Sequence, residues 1–262
     1  MLSFDFMRHA LVAGTFISII CGMMGVFVIA RGMSFLTHTL AEIGFAGAAF
    51  GLFIGWPALN GMLLFTVLSS AMVGQLGVRS ARRENVISAV SALFLGLGIL
   101  FIALSDKSST SATSILFGSV IGISLSEVWQ VVILSIVVAV VTLLMYRQLK
   151  FDSFDSVGAR VNGINGAIIS IVFLIMLALS VSVAAQIVGS LLIFILLTLP
   201  AASARYFVHS VSSMIALSIG FAVAGTWLGI TLGYLTNWPT SFFIATIEVI
   251  FYLIGLIWYK RS

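Results

Sequence analysis

His38 and Glu42 stand four residues apart in THTLAEIGFAGAAFG (37–51), a stretch otherwise dominated by small and apolar residues. At i and i+4 their side chains leave one face of a helix together. An imidazole nitrogen and a carboxylate oxygen so placed suit zinc, manganese or ferrous iron. Two ligands do not complete a structural zinc set. Either a second copy of the chain adds its own pair across a two-fold axis, giving His2Glu2, or the two groups bond to each other or to serines and close a helix interface. Imidazole ligates metal only when neutral, so acid should weaken such a site. Glu248, in IATIEVIFY, is a further acid inside an apolar run. A charge there costs about 2.5 to 3.5 kcal/mol or more on insertion scales, so Glu248 should satisfy a neighbouring helix or border a water-filled path.

The elements that must position these groups are membrane helices. Of the 262 residues 61% are hydrophobic and 8% charged, and mean hydropathy is +1.25, whereas an average soluble domain is about 25% charged. Apolar runs fall at 9–30, 39–55, 58–78, 86–105, 127–146, 164–186, 188–200, 211–234 and 239–258. Most approach the roughly 20 residues that cross about 30 Å of hydrocarbon. The expected fold is therefore all-α, a polytopic helical bundle of about eight or nine spans, with residues 1–262 forming one transmembrane domain. Run 188–200 is short for a crossing and reads as a half-helix; TSATSILFGSVIGIS (110–124) reads as a re-entrant element. Run 9–30 lacks a small-residue cleavage site and reads as a retained span. The single cysteine, Cys21, excludes an intramolecular disulfide and a cysteine-clustered metal site.

Positive charge sets the topology. Arg79, Arg82 and Arg83 share one loop, Arg147, Lys150 and Arg160 another, Arg205 a third, and Lys260 with Arg261 the end. These should face the cytoplasm, with the N-terminus outside. The net charge of +4 thus speaks of orientation and not of nucleic acid. The polar segment 147–165, RQLKFDSFDSVGARVNGIN, carries Asp152, Ser153, Asp155 and Ser156 as helix-starting residues and Gly158 and Gly163 as stops or turns. It predicts a short helix at the cytoplasmic surface. Glu127, following SLS, should stabilise a helix N-terminus.

Absent motifs discriminate as well. No HExxH occurs, which argues against an intramembrane zinc protease, and no GxxxxGK[ST], since Lys107, Lys150 and Lys260 each follow a residue other than glycine. The chain is expected to be no enzyme. ATP hydrolysis, if transport needs it, belongs to a separate subunit.

Three stretches together resemble the permease subunits of the ATP-binding-cassette importers for zinc, manganese and iron: residues 6–51, SILFGSVIGIS (114–124) and VGSLLIFILLTLPAASARYF (188–207). The likeness covers nearly the whole chain. In that family an aspartate and, four residues later, a histidine contact the metal; the matching positions are His38 and Glu42, with the order of ligand types reversed and Glu in place of Asp. The resemblance implies two permease copies, two cytoplasmic ATPase subunits, an extracytoplasmic metal-binding solute-binding protein, and a bacterial-type plasma membrane as the location, with lipid around the bundle. It also implies that 147–165 is a coupling loop, with Phe151, Asp152, Phe154, Asp155, Gly158 and Arg160 as its ATPase-contacting residues. Zn2+ or Mn2+, zinc first, would be cargo and not a resident cofactor, and ATP would act through the partner. The alternatives are a permease for a metal chelate such as a siderophore or corrinoid, an ion-coupled secondary carrier, and a membrane protein with only an assembly role.

Overall fold

The computed structural model describes residues 4–75, 83–105, 118, 123–161, 163–190 and 192–260. Among these there are eleven helices and no strand. They are α1 (Asp5–Ala30), α2 (Ser34–Phe53), α3 (Ala58–Gln75), α4 (Arg83–Leu104), α5 (Leu125–Leu144), α6 (Tyr146–Phe154), α7 (Ser156–Val161), α8 (Gly166–Val188), α9 (Ile193–Ala204), α10 (Val211–Thr236) and α11 (Thr240–Tyr259). Six are long and apolar enough to cross a membrane, namely α1, α2, α5, α8, α10 and α11, and three shorter apolar segments accompany them, Ala58–Met72, Ser88–Leu104 and Ile193–Ala204. Each apolar run in the sequence is thus helical over most of its described residues. The stretch 110–124 lies outside the described residues apart from Gly118, Ile123 and Ser124.

Lipid is as apolar as leucine, so the helices associate through close backbone approach and hydrogen bonds. Helix α1 is central, packed on α5, α8, α9 and α10, while α2 packs on α3 and α4. In the apolar stretches of α1 and α2 72% of positions are buried, against 22% in α11, which therefore forms part of the outer wall. Gly47 and Gly61 meet backbone to backbone where α2 crosses α3, and Gly225, Gly229 and Gly233 form a strip on α10 that receives Glu248, Ile244 and Thr240 of α11. Buried hydroxyls tie the helices: Ser18 donates to Thr226 at 2.7 Å, Ser218 to the Gly22 carbonyl at 2.8 Å, and Thr66 pairs with Ser182 at 2.8 Å. Ile133, Val140, Leu143, Ile250 and Leu253 point outward. Such a surface is stable in hydrocarbon and would aggregate in water.

Local chemistry explains where elements begin and break. Ser124 and Glu127 form a reciprocal capping box at the start of α5, as the sequence predicts for Glu127. Helix α8 ends at Gly189, whose φ of +86° a side chain would resist, and the chain then begins α9. With 12 residues, or about 18 Å of rise, α9 is the expected half-helix, displaced a few residues C-terminally. The polar segment forms two helices instead of one. Asp155 ends α6 and accepts a hydrogen bond from the Gly158 N–H at 2.9 Å, starting α7 as predicted. Asp152 and Ser153, predicted to start a helix, instead lie within α6, and Gly158 lies within α7 instead of stopping it. Gly163, with φ of +70°, does make a turn.

Among the described residues, Arg205 and His209 border one end of the bundle, and Arg31, Arg147, Lys150 and Lys260 belong to the segments that meet there, whereas Arg8 lies in the first turns of α1. Ile29, Ser153, Phe154, Arg205, His209 and Tyr252 line a single cavity of about 870 Å³, which places the ends of α1, α6, α9 and α11 together. The N-terminus of α1 consequently lies at the opposite end.

Candidate functional site

Helix α2 starts at Ser34, so Glu42 lies well within it and His38 just inside its N-terminal end. Thr37, Thr39, Leu40 and Ala41 between and around them are buried, whereas Phe35, His38 and Glu42 fall on one open strip at i, i+3 and i+7. The His38 side chain is 44% exposed and that of Glu42 22%, and His38 Nδ1 lies 3.6 Å from Glu42 Oε1. That separation exceeds a hydrogen bond, so the two groups face each other without satisfying each other. The His38 ring meets Phe194 edge-on, centroids 5.9 Å apart. Phe194 sits at the start of α9, ten residues or about 15 Å of helical rise from Ala204, which sets the pair away from the end bordered by Arg205 and His209.

Among the described residues no three His, Cys, Asp or Glu side chains converge as a metal-binding set. Among the described residues, His38 and Glu42 thus stand together without a third such side chain. Glu248 is not brought to them. It is fully buried on α11, in the notch at Gly225 of α10, and neither carboxylate oxygen has a hydrogen-bond partner among the described residues. Among the described residues it finds no partner on a neighbouring helix.

At the charged end the structure assembles a group that sequence reasoning overlooked. Arg31, directly after α1, forms an ion pair with Asp152 of α6 at 2.8 Å and donates from Nε to Ser153 Oγ at 2.8 Å. Its Nη1 reaches Ser170 Oγ of α8 at 3.4 Å, and its guanidinium lies 4.3 Å from the centre of the Phe173 ring. Burial pulls the Arg31 pKa down from its ordinary value, and the Asp152 charge opposes that. The only sequence signal was a lone arginine closing a long apolar run; nothing marked its partner 121 positions later. Of the predicted coupling residues, Asp152 faces inward to Arg31, Asp155 caps α7, and Phe154 is exposed, as is the neighbouring Val157.

A multi-pass membrane protein emerges, with an open polar pair on α2 and a helical collar at its cationic end. The model of the ABC 3 transport family matches residues 3–259, and the chain belongs to that family. The manganese import system permease protein ScaB of Streptococcus parasanguinis is 30% identical over 253 residues, covering 96% of this chain and 90% of that protein. The manganese transport system membrane protein MntC of Listeria monocytogenes is 27% identical over 263 residues, covering 100% and 94%. The solved structure of PsaBC from Streptococcus pneumoniae in complex with Fab superposes with a TM-score of 0.88 at 29% identity, over 96% of this chain and 91% of that one. The family expected from residues 6–51, 114–124 and 188–207 is therefore the one found.

Proposed function

We propose that this chain is the membrane permease of an ATP-driven importer of divalent transition metal ions, with manganese the first cargo to test and zinc the second. The observation that carries this reading is the His38–Glu42 pair: metal-ligating groups on the open strip of a helix otherwise enclosed, facing each other at 3.6 Å and unsatisfied by each other. The order of the two cargoes follows the names of the relatives, which are manganese systems, whereas mixed nitrogen and oxygen ligation suits either ion.

Two ligands per chain make a site that is completed when a second copy presents its own pair across a two-fold axis. An ion held by so few groups is also able to leave, which conduction requires. The cationic end faces the cytoplasm by the positive-inside rule. There Phe154 and Val157, exposed on the α6–α7 collar, offer apolar contact to a cytoplasmic ATPase subunit, with Phe151, Asp155, Gly158 and Arg160 in the same segment. An extracytoplasmic solute-binding protein would deliver the ion to the other face. Glu248 stands apart from the pair and serves a different part of the pathway, if any.

Uptake of labelled manganese and zinc by cells expressing the chain with its ATPase and binding protein tests this. At matched membrane levels, His38→Ala/Glu42→Gln should abolish uptake of the ion that wild type accumulates. Uptake of neither ion by wild type, or equal uptake by the variant, would overturn the assignment.

A further inference from the structure

Resting on that reading, we propose that Arg31 is the positioning residue through which movement of the α6–α7 collar reaches the ion pathway. One guanidinium touches three elements: it ends α1, it grips α6 through Asp152 and Ser153, and it grips α8 through Ser170 and the face of Phe173. Asp152 also lies against Gly166, the first residue of α8, where an added methyl group would have to push its carboxylate aside. The collar cannot tilt or slide without dragging this group, because its bonds are directional and several.

The path onward is short. Helix α8 packs on α2 and α3, and it leads through the Gly189 break into α9. The first turn of α9 carries Phe194, whose ring meets that of His38. A displacement of α8 along its axis is thus delivered to the ring that borders the ligand pair. Beyond that grip, buried Leu174, Leu177, Val181 and Ala184 of α8 are apolar and resist sliding little, and the hydroxyl pair of Ser182 with Thr66, 2.8 Å apart, ties α8 to α3. Arg31 supplies the fixed joint between a surface that meets the ATPase and a helix that meets the pathway. It touches neither ATP nor ion, so its effect must appear in the ratio between the two.

The test uses the permease–ATPase complex in liposomes with its solute-binding protein, measuring manganese carried per ATP hydrolysed. Arg31→Lys keeps the charge and loses the fork and the planar face over Phe173. The double variant Arg31→Met/Asp152→Leu removes both charges and leaves none uncompensated, so that assembly is preserved. Both should hydrolyse ATP within about threefold of wild type while carrying about tenfold fewer ions per ATP, the range of ordinary coupling energies. Should Arg31→Lys fail to accumulate, Ser170→Ala/Phe173→Leu loosens the grip on α8 alone and should lower the same ratio several-fold. An unchanged ratio in these variants would overturn the proposal. So would recovery of the wild-type ratio in the apolar double variant after loss in Arg31→Lys, since that would make the contact one of stability alone. A wild-type complex that hydrolyses ATP and moves neither manganese nor zinc would instead overturn the transport reading itself, and this inference with it.

Discussion

The Arg31–Asp152 and His38–Glu42 pairs of this largely apolar protein are built in opposite ways. Arg31 and Asp152 are 6% and 16% exposed, 2.8 Å apart, and supported by two serine hydroxyls and an aromatic face. His38 and Glu42 are 44% and 22% exposed, 3.6 Å apart, and have a ring edge beside them. Removing two charges from water is repaid only by close geometry and further hydrogen bonds, which the first pair has. The second keeps its ligating capacity unspent. On the proposed reading, a joint is satisfied from within and a site for a passing ion is not.

The largest effect should come from the open pair. His38→Ala/Glu42→Gln is expected to reduce metal uptake by about 100-fold or more, since loss even of residues behind metal ligands lowers affinity 10- to 100-fold. Its melting temperature in detergent should match wild type, because the groups do not hold each other. A fall in melting temperature would erase the contrast. The closed pair should show the reverse pattern of sensitivity. Asp152→Leu alone leaves Arg31 buried without its counter-charge and should destabilise the protein by about 3–5 kcal/mol, seen as thermal unfolding at lower temperature, whereas Arg31→Met/Asp152→Leu should recover most of it.

Smaller changes sharpen the distinction between the closed and open faces of α2. Gly61→Ala forces a methyl group onto the Gly47 carbonyl at the α2–α3 crossing and should cost about 1–3 kcal/mol. Ser124→Ala, at an exposed helix start far from either pair, removes one half of the capping box and should lower stability by about 0.5–1 kcal/mol with uptake unchanged. These two values set the scale against which a change at the open strip counts as functional. If Gly61→Ala proved harmless, the enclosure of α2 would rest on something other than its glycine crossing.

Much of the bundle was legible because membrane insertion writes itself into composition. Runs at 211–234 and 239–258 became helices Val211–Thr236 and Thr240–Tyr259, with ends shifted by two residues or fewer. The half-helix near 188–200 was visible as a run too short to cross, though its true start depends on Gly189, whose positive φ the apolar pattern does not show. Asp155 was readable as a helix start, because capping is a local bond to the third residue on. Asp152, with the same local credentials, was not: a partner from another helix took its carboxylate. Glu248 was recognised as an acid needing explanation, yet the structure sets it against Gly225 with neither oxygen partnered among the described residues, a placement fixed by helix packing and not by sequence spacing.

By itself, the sequence determined that this is a helical membrane protein, that it has no nucleotide-hydrolysing loop, and that His38 and Glu42 share one helical face. Those properties depend on composition, on a local motif and on the helical period, all of which are carried by neighbouring residues. Only the tertiary structure decided that this face is left open while the rest of α2 is enclosed, and that Arg31 meets residues 121 to 142 positions away. Burial and long-range pairing depend on which helices pack together, and that is a property of the folded bundle.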